Sequence, residues 1–158
     1  METKKAKAEK IRKQKNSIEK KIEKGIKEKL IQMLKRQKVS NVKLDLKKKK
    51  ISLCFIGQRI CDNVLVEWEP HVGEWSRKRK EVIIDSDILK NHKKKSFKSL
   101  CVHEAVEKFV AQKFHLKTDD EAHPIAYAVE KKYLKSIGGN WKSHEKIVYW
   151  DWHKHGEY

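Results

Sequence analysis

The stretch LCVHEAVEKFVAQKF, residues 100–114, decides the fold. Val106, Phe109, Val110 and Phe114 recur at the three- and four-residue spacing of one buried helix face, to which Leu100 also belongs. His103 and Glu107 stand four apart, so their side chains meet on one surface, with Cβ atoms about 5–6 Å apart. Glu104 lies about 100° further round the same turn. Sixteen residues after Glu107 comes His123, and seven after that Glu130. An imidazole and a carboxylate at this spacing, beside a second acid and with a distant histidine, are how a helix holds a divalent metal and a water-activating base. The same pair on an exposed helix face forms only a solvated hydrogen-bonded couple. The flanking sequence has to decide between the two.

Upstream, Val42, Leu44 and Leu46 alternate with polar residues, and Ile51–Ile56 follows the Lys47–Lys50 run. Gly57 marks a turn, after which Ile60–Trp68 resumes an extended pattern. This predicts a meander of short antiparallel strands. Residues 69–80 read as a polar loop broken by Pro70 and Gly73, with His71 exposed in it. Glu81–Asp85 is a short β-branched strand. A Lys-rich connection from Asp87 to Ser99 then leads into the helix, which should begin between Phe97 and Leu100.

Downstream, Thr118-Asp-Asp-Glu121 has the form of a capping box, which predicts a second helix from Asp119 to Ser136, ended by Gly138-Gly139. Pro124 either kinks that helix early or takes its first position with His123 as the cap. If the helix runs through, His123, Tyr127 and Glu130 share a face, while Ala122, Ala126, Val129 and Leu134 pack on the first helix. The tail from Asn140 to Tyr158 is dense in Trp141, Tyr149, Trp150 and Trp152, with His144, His153 and His155 among them. Such a segment packs over a domain edge, where it could act as a lid or lend a further histidine ligand.

The first 50 residues carry 20 Lys/Arg against 6 Asp/Glu, whereas the remainder carries 19 against 16. The net charge of +17 therefore belongs mainly to an N-terminal arm. Residues 4–38 read as helix, rich in Lys, Glu and Ala, with a stripe of Ile18, Ile22, Ile26, Leu30, Met33 and Leu34. Residues 1–16 are expected to be frayed. The arm suits nucleic-acid phosphates or an anionic membrane face, and we expect nonspecific nucleic-acid binding through residues 1–38. No aromatic residue interleaves its lysines for base stacking.

No apolar run reaches the roughly 20 residues that span a bilayer, and no signal-peptide core is present. Cys54, Cys61 and Cys101 form no CxxC pair. A cytoplasmic, reducing setting is expected. The predicted fold class is α+β: a small antiparallel sheet packed on two metal-bearing helices, preceded by a long basic helix. The expected division is a helical arm over residues 1–40, an α+β domain over 41–138, and an aromatic, His-rich tail over 139–158.

A strand, a polar connection and a helix bearing His-Glu-x-x resemble the small zincin metallopeptidases, including the minimal ImmA/IrrE-type domains. The resemblance covers about residues 51–136. It implies that Val82–Asp85 is the edge strand of a substrate cleft, that His103 is the first zinc ligand, and that Glu104 is the general base. The chain departs from that family where its second histidine is replaced by Glu107, giving HExxE for HExxH. The set His-Glu-Ala-Val-Glu, Glu-Ala-His-Pro-Ile-Ala and Glu130 also looks like a group of uncharacterised zincin-like proteins from archaea and their viruses. The expected first shell is His103, Glu107 and His123, with Glu130 either a fourth ligand or a group orienting His123. Zinc suits this set, and a further carboxylate would tilt it towards Mn or Fe. The expected function is a metal-dependent peptidase acting on a peptide or protein. Its alternative is a non-enzymatic nucleic-acid-associated protein whose metal site is structural or vestigial. The sequence leaves the oligomeric state open.

Overall fold

The computed structural model describes residues 2–91 and 94–154. The chain divides into two compact units, Met1–Leu34 and Lys35–Tyr158. The first consists of nearly all of helix α1 (Lys4–Lys35), which runs unbroken through Gly25. Its residues favour this: Lys, Glu and Ala dominate and proline is absent. The expected fraying of residues 1–16 is therefore corrected from Lys4 onward, where helix is continuous.

The second unit is α+β. Its strands are β1 (Ser40–Asp45), β2 (Lys50–Phe55), β3 (Gln58–Glu67), β4 (Gly73–Trp75) and β5 (Glu81–Asp85). Its helices are α2 (Ser86–Asn91), α3 (Lys94–Lys113), α4 (His123–Ser136) and α5 (Trp141–His153). The sheet order is β1-β2-β3-β5-β4. β1, β2 and β3 form the expected antiparallel meander. Ile56 and Gly57 turn β2 into β3 with φ of 46° and 74°, the paired positive values of a type I′ hairpin.

The wholly antiparallel sheet is corrected at the next pairing, because β3 and β5 run parallel. The chain leaves β3, folds back through β4 and enters β5 beside β3. β4 pairs antiparallel with β5 and forms the sheet margin. Val82–Asp85 is thus an interior strand, and the edge falls to Gly73–Trp75, inside the stretch expected to be a loop. Burial follows from this placement: Val82, Ile84 and Asp85 are buried, as an interior strand covered by a helix requires.

α3 lies between the sheet and α4. Leu53, Phe55, Val64, Val82 and Ile84 meet it from the sheet layer, and Ile125, Ala126 and Val129 come from α4. Covered on both sides, α3 buries far more than one stripe, including Val102, Ala105, Val106 and Val110. Each of the buried valines contributes about 1.5–3 kcal/mol by leaving water. The expected connection over Asp87–Ser99 instead contains α2 and the first residues of α3.

The expected capping box is also replaced. Thr118–Ala122 form a π-helical turn leading directly into α4. Glu121 Oε1 accepts from the Lys117 amide at 2.8 Å, one residue before the Thr118 amide that a box would use. Thr118 Oγ1 faces Arg77 Nη2 at 3.4 Å. Pro124 sits in the first turn of α4, where its missing N–H costs nothing. Within the tail, Trp141–His153 form α5, capped by Asn140, whose side chain accepts from the Ser143 amide at 2.9 Å. His155 lies outside the described residues.

Candidate metal centre

Three side chains on two helices converge on one point. His103 and Glu107 project from successive turns of α3, and His123 opens α4. His103 Nε2 is 3.0 Å from Glu107 Oε2 and 3.2 Å from His123 Nδ1, and that Nδ1 is 2.9 Å from the same Oε2. Nitrogen and oxygen ligands held at 2.0–2.2 Å in a tetrahedral shell stand about 3.3 Å from one another. The triangle is close to that spacing. Besides meeting one carboxylate oxygen, the two ring nitrogens face each other at 3.2 Å, a contact that is a hydrogen bond only if one of them is unprotonated. They form a natural ligand set.

The partners around the triangle hold it in place. Glu130 Oε1 lies 3.1 Å from His103 Nδ1, fixing the ring so that Nε2 faces the triangle. The other Glu130 oxygen is met by Ser99 Oγ at 3.3 Å and by His144 Nε2 of α5 at 2.9 Å. Trp75 Nε1–H, from β4, donates to Glu107 Oε1 at 2.9 Å, leaving Oε2 for the triangle. Burial opposes charge on all three inner groups, but pairing prevails. Hydrogen bonds from His103 and His123 hold Glu107 at about 2, and those from His103 and His144 hold Glu130 at about 2. Flanked by two carboxylates, His103 is raised well above the ordinary histidine range.

Glu104 differs. It is only 7 % exposed, and burial drives its pKa up to about 8, with His103 opposing and Glu107 and Glu130 adding to the rise. Its carboxyl lies against β4: a Cβ on Gly73 would stand 3.0 Å from Glu104 Oε1 and 3.2 Å from Ile84 Cδ1. Only glycine lets the strand come this close without a shift. Just before it, the buried Val72 turns the chain into β4 at φ 66°, a costly conformation for a β-branched residue, of order 1–3 kcal/mol. Its carbonyl accepts from the Asp85 amide at 2.8 Å, which secures the turn.

The centre opens into a cleft of about 710 Å³, bordered by His71–Trp75 on one side and by Trp141, Glu145, Val148 and Trp152 of α5 on another. Among the described residues, no strand pairs with the outer edge of β4.

No protein-family model, curated protein or solved structure matches the chain. The case for the site therefore rests on its own geometry.

Of the five residues singled out from sequence, His103, Glu107 and His123 are brought together, and Glu104 stands beside them in the cleft wall. Glu130 is adjacent but engages His103, not His123, which corrects its expected orienting role; it is not among the three converging groups. His144, considered as an extra ligand, reaches Glu130 instead, and His153 bonds the Tyr149 carbonyl at 2.7 Å. His71 packs edge-on against Trp152 at 5.8 Å. Sequence reasoning missed Trp75 and Ser99. Ser99 did carry a signal: it precedes His103 by four residues, as His103 precedes Glu107, so all three share one helix face. Trp75 offered none, lying in a strand of three residues.

Proposed function

We propose that the second unit is a metal-dependent hydrolase, a zincin-like peptidase, in which His103, Glu107 and His123 hold a divalent ion. The observation that carries this reading is the open side of the triangle: three ligands face a cleft whose wall contains a buried carboxyl, Glu104, and an edge strand. Two imidazoles with one carboxylate suit catalytic zinc, and the same set accommodates iron or manganese. An ion bound there supplies Lewis acidity and acidifies a water.

The protein's own groups account for the remaining chemistry. The free edge of β4 can pair with an extended peptide through main-chain hydrogen bonds and carry it past Glu104. Glu104 takes a proton from the attacking water and delivers it to the leaving amine. Burial raises the pKa of Glu104, and a divalent cation beside it would bring that pKa back down, towards the range in which a carboxylate accepts a proton at neutral pH. Glu130 and Trp75 keep His103 and Glu107 aimed, so little reorganisation accompanies binding.

The alternative, a nucleic-acid-associated protein with a closed structural site, draws on the basic arm. Glu130 is engaged with His103, Ser99 and His144, which favours three ligands and an open position over four ligands and a closed one. The free thiols of Cys54, Cys61 and Cys101 and the lack of a long apolar helix among the described residues accord with a cytoplasmic setting.

The test combines metal analysis with one substitution. The purified protein is expected to contain, or be thermally stabilised by, Zn, Mn or Fe and to cleave an unfolded protein substrate. Glu104→Gln should keep the metal and lose hydrolysis by about 10²-fold or more. Failure to take up any of the three metals would reject the metal centre. Hydrolysis undiminished in Glu104→Gln would reject Glu104 as the base.

A further inference from the structure

α1 is 32 residues long, about 48 Å at 1.5 Å per residue. Ile11, Ile18, Ile22 and Ile26 on it are 58, 58, 57 and 64 % exposed. At 100° per residue all four fall within a sector of about 80°, so they form one aliphatic stripe, interrupted between Ile11 and Ile18 by Lys15. The same helix carries 13 Lys/Arg against 4 Glu. A helix needed only for solubility has no use for such a stripe, since isoleucine is a poorer helix former than the lysines and glutamates around it.

We infer that α1 is a membrane-surface helix that lies on an anionic lipid bilayer. The isoleucines would enter the boundary between headgroups and acyl chains, and the cations would meet the anionic headgroups. Lys15 and Lys29 share the stripe's sector by the same angular count. Their aliphatic stems can lie along the boundary while the ammonium groups reach the headgroups.

Charge alone would also suit nucleic acid, but phosphates would engage the lysines and leave the isoleucines in water. α1 has no aromatic side chain to stack on a base and only Arg12 for bidentate contacts. A second copy of the chain fits less well. From Ile18 to Ile26 the stripe advances in steps of four, which drifts about 40° per step and does not make the alternating three-four seam of a coiled coil. Two such helices would also bring together surfaces of the same net charge. The inference rests on α1 alone and is independent of the hydrolase reading.

The experiment is cosedimentation of the full chain with phosphatidylcholine vesicles, with and without about 30 % phosphatidylserine, near physiological salt. The comparison variant is Ile18→Ala/Ile22→Ala/Ile26→Ala, which keeps every charge and favours helix, with helicity checked by circular dichroism. The native chain should pellet with the anionic vesicles and not with the neutral ones. The variant should bind at least about tenfold more weakly, while both bind a mixed-sequence DNA duplex equally. No pelleting, or pelleting unaffected by the three substitutions, overturns the inference. Duplex binding without vesicle binding assigns the arm to nucleic acid and also overturns it. Loss of a dimer in the variant with vesicle binding unchanged would assign the stripe to a second copy.

Discussion

His103, Glu107 and His123 bring three ligand-type atoms within 4.8 Å of one another, and so do Asp85, Asp87 and Asp151. By count the two clusters look alike. They differ in what balances them. The aspartates surround the ammonium of Lys154, which lies 2.8 Å from Asp87 Oδ2 and 3.1 Å from Asp151 Oδ1 and also contacts Asp85. A covalently tethered cation already fills that site, and it ties the end of α5 to the junction of β5 and α2. Among the described residues, no lysine or arginine enters the first cluster, and its cationic candidates are the two imidazoles. Acidic side chains grouped around an internal cation describe a structural tie. Imidazoles grouped around one carboxylate oxygen, with outer partners holding His103 and Glu107 from behind, describe a site prepared for something else.

The two clusters should differ most at His123. His123→Ala or Glu107→Ala should remove metal binding beyond the roughly 10–100-fold range that outer partners command, whereas Glu130→Gln should stay within it. Calorimetric titration with zinc measures all three. Lys154→Met should leave zinc affinity unchanged. If Lys154→Met weakened zinc binding as much as His123→Ala, the two clusters would not be separable functions.

Lys154→Met acts instead on stability. Removing one partner from a buried ion pair costs about 3–5 kcal/mol, and Lys154 is 18 % exposed against fully buried Asp85, so the lower end is expected. The deficit should depend on pH in a definite direction. Burial and the adjacent Asp85 carboxylate push Asp151 up to about 7, with Lys154 opposing. A carboxyl raised in the folded state favours folding while it is protonated, and that contribution is lost as pH rises through the folded value. Denaturant unfolding should therefore show a larger deficit at pH 8 than at pH 5.5, where Asp151 takes up a proton. The lower pH must stay above the range in which protonation of Glu107 and Glu130, both held at about 2, removes their own contribution. A deficit equal at the two pH values would mean that Asp151 does not sense Lys154.

How legible each cluster was in the sequence follows from the range of its contacts. His103, Glu104 and Glu107 could be read because helix geometry fixes neighbours at three and four residues. His123 required only that a second helix return beside the first. That Glu130 meets His103 and not His123 depends on the relative rotation of α3 and α4, which no local pattern encodes. β4 was read as loop because three residues give no alternation to detect, and its strand character comes from pairing with β5. The parallel β3–β5 pairing escaped for a related reason: a short return through β4 stands where a crossover helix would be expected. The Asp–Lys cluster was wholly hidden, since Lys154 and Asp85 are 69 residues apart and each alone reads as a solvated charge.

A substitution at Trp75 tests whether the first cluster is prepared for a ligand, not merely composed of ligand-type residues. Trp75 donates its indole N–H to Glu107 Oε1 at 2.9 Å, and the ring is half-buried in the cleft wall. Trp75→Phe keeps much of the apolar ring and removes the donor. Glu107 would then be free to rotate either oxygen away from the triangle, and a bound ion would have to reorder it. The expected result is a loss of about tenfold in zinc affinity, the low end for an outer partner, with little change in the thermal stability of the metal-free protein. A role in packing alone predicts the reverse pattern, lower metal-free stability with zinc affinity intact. That outcome would leave Glu107 positioned by the two histidines and would remove β4 from the architecture of the site.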